Sequence, residues 1–179
     1  MKGEKNFIDR ILCSLEEIAQ QKIISKGELI LAEGQIEKNL YFVETGAVRV
    51  FLLTELEEQT IRFGYKGSFI NSLSSFIKET PSEFYIEAIR KSSIKIISKS
   101  NLLKLVNEDM TSLQQYISLL ELLITQQIER EVDLLTVSPS DRLKRVLQRS
   151  PNLFQEIPLK YIASYLRMTP ETLSRIRNS

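Results

Sequence analysis

The 179-residue chain contains no histidine and a single cysteine. The first absence removes histidine-containing zinc sites, histidine-based catalytic triads and histidine-ligated haem. The second removes any intrachain disulfide and any iron–sulfur cluster held by the cysteines of one chain. Cys13 lies between Leu12 and the Ser14-Leu15 pair in an amphipathic pattern with no cationic cluster beside it. Burial, not redox sensing, is therefore expected for it. No run approaches the roughly 18 apolar residues of a membrane span. The opening MKGEKNFIDRILCSLEEIAQ carries acids within its apolar pattern, unlike a secretory signal. A cytoplasmic protein with no membrane partner is the expectation. Hydrophobic residues make up 42%, enough for a real core, and the length suits one medium domain plus one small one.

A strong net charge is also lacking: the chain sums to only +1. The sum conceals a division. Residues 1–141 hold 16 Lys/Arg and 21 Asp/Glu, whereas residues 142–179 hold 8 Lys/Arg and 2 Asp/Glu. A net −5 body thus carries a net +6 tail. A basic terminal block on an acidic body is a localised footprint for phosphates, where a solvated charged surface is the blander explanation.

Phe7, Ile8, Ile11, Leu12, Leu15 and Ile18 recur at helical spacing and predict a helix near Phe7–Gln20. From Ile23 to about Ser98 short apolar segments alternate with turn signals: Glu28–Ala32, Leu40–Glu44, Ala47–Leu53, Gln59–Tyr65, Phe69–Asn71, Phe84–Ala88 and Ile94–Ser98. Closely spaced strands with glycine turns predict a sandwich or barrel. Thr45-Gly46 reads as a tight hairpin with glycine at positive φ. Helix returns after Ser100, which is placed to cap Asn101–Val106. A long helix follows over Met110–Val137, with Leu113, Ile117, Leu120, Ile124 and Ile128 on one stripe that Glu131 and Leu135 extend. Spacings of three and four fit a coiled-coil-like seam. Packing against the strand domain only is the blander reading; Tyr116, Leu119, Leu122, Leu123 and Leu134 widen the apolar surface, so one face is expected to cover the strand domain and another to meet a second copy of the chain.

Ser138-Pro139-Ser140-Asp141 marks a boundary and a helix start, with Ser138 as cap, and Ser150-Pro151-Asn152 ends that helix. The last stretch, IPLKYIASYLRMTPETLSRIRNS, reads as a helix-turn-helix. Pro158 suits a first helical position, and Tyr161, Ile162, Tyr165 and Leu166 face a small core. Thr169-Pro170-Glu171 restarts helix with a hydroxyl cap, a proline and an acid. Leu173 and Ile176 point inward, leaving Glu171, Thr172, Ser174, Arg175, Arg177 and Asn178 for the other face. Such a pair suits the major groove of DNA.

Three segments carry a family resemblance: GELILAEGQIEKNLYFVETGAVRVF (Gly27–Phe51), GSFINSLSSF (Gly67–Phe76) and YIASYLRMTPETLSRIR (Tyr161–Arg177). Taken with the order of parts, they resemble the Crp/Fnr family of bacterial transcription regulators over nearly the whole chain. The resemblance implies an α+β fold: an N-terminal double-stranded β-helix or jelly roll over 1–108, a long dimerisation helix over 109–137 and a small helix-turn-helix domain over 138–179. It implies double-stranded DNA, a second copy of the chain and RNA polymerase as partners.

In that family a cassette holds a cyclic nucleotide: a glycine and a short helix N-terminus approach the phosphate, an arginine neutralises it and a glutamate binds the ribose. Here the matching cassette runs from Phe69 to Ala88. The glycine–glutamate pair falls on Asn71 and Ser72, followed by Leu73, and the arginine falls on Ser82, next to Glu83. Cyclic AMP is not expected to bind in the usual mode. Arg62 and Arg90 are the available substitutes, and the pocket either takes another small-molecule effector or is only structural. No cofactor and no metal is expected. On the DNA side, Glu171 matches the family's cytosine-reading acid and Arg175 its guanine-reading arginine. Ser174 shares their face, and Thr169 and Thr172 serve as caps or phosphate contacts. Arg167 occupies the turn where the family often has glycine, which implies either strain at positive φ or an added phosphate contact. A sensor whose terminal helices contact a protein is the rival reading. A cupin-like enzyme is a third, opposed by the missing histidines and by the lack of any nucleophile–base constellation.

Overall fold

The structure, a computed structural model, describes residues 13, 15, 16 and 18–178. The expected first helix over Phe7–Gln20 lies largely outside the described residues. Residues 13, 15 and 16 are helical, but the chain turns at Ile18, and Gln20 already pairs in a strand. Cys13 is exposed, contrary to the burial expected of it. Leu15 is the position that turns inward, at 2% exposure.

Eight strands follow: β1 Gln20–Ile24, β2 Leu29–Leu31, β3 Asn39–Thr45, β4 Ala47–Leu53, β5 Glu58–Tyr65, β6 Phe69–Ile70, β7 Tyr85–Ala88 and β8 Ser92–Ser98. They form two four-stranded antiparallel sheets, ordered β1-β8-β3-β6 and β2-β7-β4-β5. The first strand escaped the periodicity because QQKII is mostly exposed. The two sheets close over Ile24, Leu31, Tyr41, Val43, Val48, Val50, Ile70, Ile86, Ala88 and Ile94. Gly46 does adopt positive φ, at 85°, but Thr45-Gly46 is not a hairpin. β3 pairs with β6 and β8, and β4 with β5 and β7, so the chain crosses there between sheets. A Cβ at Gly46 would lie 2.5 Å from the Lys91 carbonyl oxygen and 2.6 Å from the Ser92 Cα. The crossing therefore requires glycine twice over, for φ and for space.

Seven helices complete the described chain: α1 Leu73–Lys78, α2 Lys99–Val106, α3 Met110–Leu135, α4 Pro139–Arg149, α5 Leu153–Glu156, α6 Leu159–Tyr165 and α7 Pro170–Arg177. Ser98, not Ser100, caps α2 by accepting from the Asn101 N–H. Asp109 caps α3 through the Ser112 N–H. Ser138 caps α4 through the Asp141 N–H, as its sequence pattern predicts. Each such cap satisfies an otherwise orphaned donor, worth about 1 kcal/mol.

The long helix divides its apolar residues between two environments. Leu119 and Leu123 are buried with Leu40, Phe42, Phe69, Phe76 and Leu102 against the first sheet, with Leu113 and Tyr116 packed alongside. Ile117, Ile124, Ile128 and Leu135 stand 46%, 51%, 54% and 80% exposed on another face. Among the described residues no helix is long and apolar enough to cross a membrane.

The terminal helices do not form a detached unit. Leu143, Val146, Leu153, Ile157, Ile162, Ala163, Leu166 and Leu173 share one cluster with Ala47 and Ile89 of the roll, and Phe63 and Tyr65 pack against it. β4 explains how. Its residues alternate in period two. Val48 and Val50 enter the roll, whereas Ala47, Arg49 and Phe51 face outward yet remain buried.

Candidate nucleic-acid interface and effector pocket

α6 and α7 are joined by the turn Leu166-Arg167-Met168-Thr169. The turn closes as a Schellman motif: the Met168 N–H donates to the Ala163 carbonyl at 3.1 Å and the Arg167 N–H to that of Ser164 at 3.1 Å. Arg167 takes the position that glycine usually fills, with φ of 55°. Of the two roles weighed for Arg167, positive φ is therefore required, and a β-carbon is carried in the left-handed region. Pro158 is the cap of α6, one position earlier than expected, and the helix begins at Leu159. Thr169 caps α7, its hydroxyl accepting from the Thr172 N–H at 3.2 Å, and Pro170 occupies the first turn. Leu173 is fully buried.

That cap and that anchor set the outer face of α7. Glu171 and Arg175, one turn apart, are both exposed, with Thr172 and Ser174 half-buried between them. The Glu171 carboxyl lies below its ordinary range, held there by its own backbone N–H and by the Thr169 hydroxyl. Arg167 and Thr169 are exposed at the turn. Arg177 is also exposed but lies over the Phe154 ring at 5.4 Å, at the far end of the helix.

Residues that sequence reading passed over hold this helix pair against the roll. Tyr161 and Tyr165 pack against the small terminal core, as their spacing predicts, and also reach the roll and the long helix. Arg49, 4% exposed, is sandwiched between Phe51 and Tyr161, 4.0 and 4.4 Å from the ring centroids. Its guanidinium pairs with Glu58 at 2.5 Å and Glu87 at 2.6 Å. Ser164 binds the edge of β5, its hydroxyl accepting from the Thr60 N–H at 2.9 Å and donating to the Glu58 carbonyl at 3.1 Å. Asp133, fully buried near the end of α3, takes Arg145 at 3.1 Å and also Arg149 of α4. Arg142 donates to the carbonyls of Thr136 and Leu166. Its guanidinium thus ties the α3–α4 connection to the end of α6. The only sequence signal for Asp133 is an acid between Val132 and Leu134 on a helix whose neighbours bury leucines.

The cassette residues come together differently from an anion site. Asn71, Ser72 and Ser82 are all buried, at 3%, 1% and 2% exposure. The Ser82 hydroxyl donates to that of Ser72 at 2.9 Å and accepts from the Phe84 N–H at 3.0 Å. Leu73 opens α1 and packs on the roll–helix core, and Glu83 is exposed. Neither substitute arginine joins them. Arg62 donates to Gln126 of α3 at 2.5 Å, and Arg90 pairs with Glu156 at 3.6 Å. Glu37 stands beside the cassette instead. Its backbone N–H donates to the Ser75 hydroxyl at 2.9 Å, and its carboxylate accepts from the Asn39 N–H at 2.9 Å and the Tyr41 hydroxyl at 3.1 Å. Burial raises the Glu37 carboxyl above its usual range; the hydrogen bonds from the Asn39 N–H and the Tyr41 hydroxyl oppose this without cancelling it. Burial and the charge of Glu37 in turn raise the Tyr41 phenol.

Comparison with known proteins places this fold among others. Residues 21–109 match the cyclic nucleotide-binding domain. The nitrogen fixation regulation protein FixK of Rhizobium meliloti (strain 1021) is 26% identical, over 84% of this chain and 70% of that one. Among solved structures, FixK2 from Bradyrhizobium japonicum superposes with a TM-score of 0.74 at 21% identity, covering 90% of this chain and 83% of that one. A CooA mutant from Carboxydothermus hydrogenoformans gives 0.73 at 18%, covering 94% and 81%. The Catabolite Activator Protein of Thermus thermophilus gives 0.58 at 19%, covering 95% and 81%. At those identities the structures show a shared fold. The match thus runs from the roll through the long helix to the terminal helix pair: residues 21–109 match the cyclic nucleotide-binding domain, and the chain as a whole shares the fold of these proteins.

Proposed function

We propose that this chain is a dimeric DNA-binding regulator whose α6–α7 helix-turn-helix reads the major groove. The observation that carries the reading is the outer face of α7. Glu171 and Arg175 stand exposed one turn apart on a helix capped by Thr169 and anchored by Leu173, within a segment of net +6. Arg175 can donate two bonds to guanine, and Glu171 can accept from cytosine N4. Arg167, Thr169 and Thr172 at the start of the helix, with Ser174, serve the backbone. Arg177 lies farther along, over Phe154, and makes at most a phosphate contact.

The exposed stripe Ile117, Ile124, Ile128 and Leu135 supports pairing of two chains along α3. Two recognition helices then lie roughly 34 Å apart, one turn of duplex. The domain limits 1–108, 109–137 and 138–179 follow from these roles. RNA polymerase is the further partner that an activator of this kind requires, and no catalytic step is involved.

The cassette supports an altered effector pocket. Ser72 and Ser82 bond each other, no cation stands among Asn71, Ser72, Leu73, Ser82 and Glu83, and the buried Glu37, whose backbone N–H donates to the Ser75 hydroxyl, stands beside α1. A buried carboxylate at the entry of α1 opposes a phosphate there. Fluorescence anisotropy on a random double-stranded DNA pool over a salt series tests DNA binding. Binding that weakens steeply with salt is expected. Absence of binding at low salt favours a protein-contacting sensor. Calorimetry with cyclic AMP tests the pocket, where micromolar binding overturns the altered-cassette reading.

A further inference from the structure

A cleft of about 960 Å³ opens where three parts meet: β5 and β6 of the roll, α3, and the terminal helices through α4, α5 and Tyr165. Of the cassette only its first residue, Phe69, lines it; Asn71, Ser72 and Ser82 do not. It lies on a flank of α3 turned from the exposed stripe: at about 100° per residue, Ser118, Thr125 and Glu129 stand roughly a quarter to a third of a turn from Ile117, Ile124 and Ile128.

Its polar lining is unusual in one respect. Arg130 is 6% exposed, and its Nε and Nη1 find no acceptor among the described residues. Only Nη2 is used, donating to the Tyr165 carbonyl, while the guanidinium lies 3.7 Å over the Tyr165 ring. Arg62 reaches the same cleft from β5 and donates to Gln126, one helical turn before Arg130. Among the described residues neither arginine has an ion pair, whereas Arg149 is taken by Asp133 and Glu129. Desolvation draws the half-buried Arg62 and the buried Arg130 below their ordinary value. Aromatic side chains supply the rest: Phe63 and Tyr165 meet at 5.1 Å, with Tyr65 and Phe69 beside them. Unused guanidinium donors beside an aromatic wall, in a cleft of this size, are what a small organic anion requires.

We propose that this junction cleft binds a small anion with a flat apolar body, its carboxylate or phosphate held by Arg130 and Arg62 and its body by Phe63, Tyr65 and Tyr165. A ligand there touches roll, long helix and terminal helices together, so occupancy bears on their relative placement. The site does not depend on the DNA-binding reading, and its test contains no DNA.

The test is calorimetry on the full chain with 1-naphthyl phosphate, 1-naphthoate and inorganic phosphate. One naphthyl compound is expected to saturate at one per chain, at least tenfold more tightly than inorganic phosphate. The tighter of the two identifies the head group. Arg130→Met and Arg62→Met should each weaken it at least tenfold. Thr125→Trp, at an exposed position on the α3 wall, should block the cleft with both arginines intact, and serves if Arg130→Met fails to fold. Lys78→Met, remote on α1, should leave binding unchanged. Absence of saturable heat with every probe at millimolar concentration overturns the proposal, as does binding indifferent to both Arg62→Met and Thr125→Trp.

Discussion

Replacing Arg167 by glycine should make the protein more stable and a weaker DNA binder at once. Arg167 sits at φ of 55° in the turn between α6 and α7. A residue with a β-carbon costs about 1–2 kcal/mol there relative to the right-handed region. Glycine removes that cost but returns about 0.5–1 kcal/mol through the greater freedom of its unfolded chain. The exposed side chain loses no burial. The net gain is about 0.5–1 kcal/mol, or a rise in Tm of about 1–4 °C for a chain of this size. On DNA, loss of one guanidinium–phosphate contact per chain should lower the slope of log K against log salt by about 0.9 for each chain bound. Arg167→Ala separates the two effects, because alanine keeps the left-handed cost and loses the guanidinium. Thermal denaturation and anisotropy titrations over a salt series read both variants. A glycine variant no more stable than the alanine variant would refute the backbone account. An unchanged salt slope in both would remove Arg167 from the DNA contact.

Four further outcomes are expected. Ile124→Asp, on the exposed stripe of α3, places an unpaired carboxylate in the seam and should weaken self-association by at least about a hundredfold; sedimentation velocity showing an intact dimer contradicts the seam. Arg175→Ala should lose roughly 1–3 kcal/mol of discrimination at one base pair per half-site, read by binding-site selection; an unchanged preference contradicts its assignment to guanine. Gly46→Ala adds a Cβ within 2.6 Å of backbone atoms of Lys91 and Ser92 at a positive φ, and should cost upwards of about 3 kcal/mol in urea unfolding. Glu37 governs a pH dependence. Its folded pKa is raised above the ordinary 4.5, so between those values the native state holds a proton that the unfolded state has released. Glu37 therefore withdraws stability as pH climbs from about 4.5 through its folded pKa. Urea midpoints at pH 5 and pH 7 should diverge less in Glu37→Gln than in the parent chain; equal divergence contradicts the reading.

Much of the framework follows from local pattern alone. Strand after strand lies near its apolar segment, Ser138 and Thr169 cap the helices their motifs announce, and Ile124 and Ile128 stand on the exposed side of a helix whose stripe they define. These features depend on neighbours within a turn or a strand, where side-chain period and capping chemistry operate. The charge division, with +6 over residues 142–179, is likewise written in the chain. Tertiary structure decided what depends on distant partners. Thr45-Gly46 has hairpin chemistry but joins two sheets, because strand pairing is settled by residues far along the chain. Tyr161 and Tyr165 have the spacing of core residues and pack on the terminal core, but only the tertiary structure places Arg49 and Phe63 of the roll against them as well. Asp133 shows no local reason to be buried until α4 brings Arg145 and Arg149 to it. Arg130 is one more charge on a helix face until the roll and the terminal helices enclose it. Periodicity tells which face of an element is apolar; only the assembled chain tells what that face meets, and which buried charges it leaves without a partner.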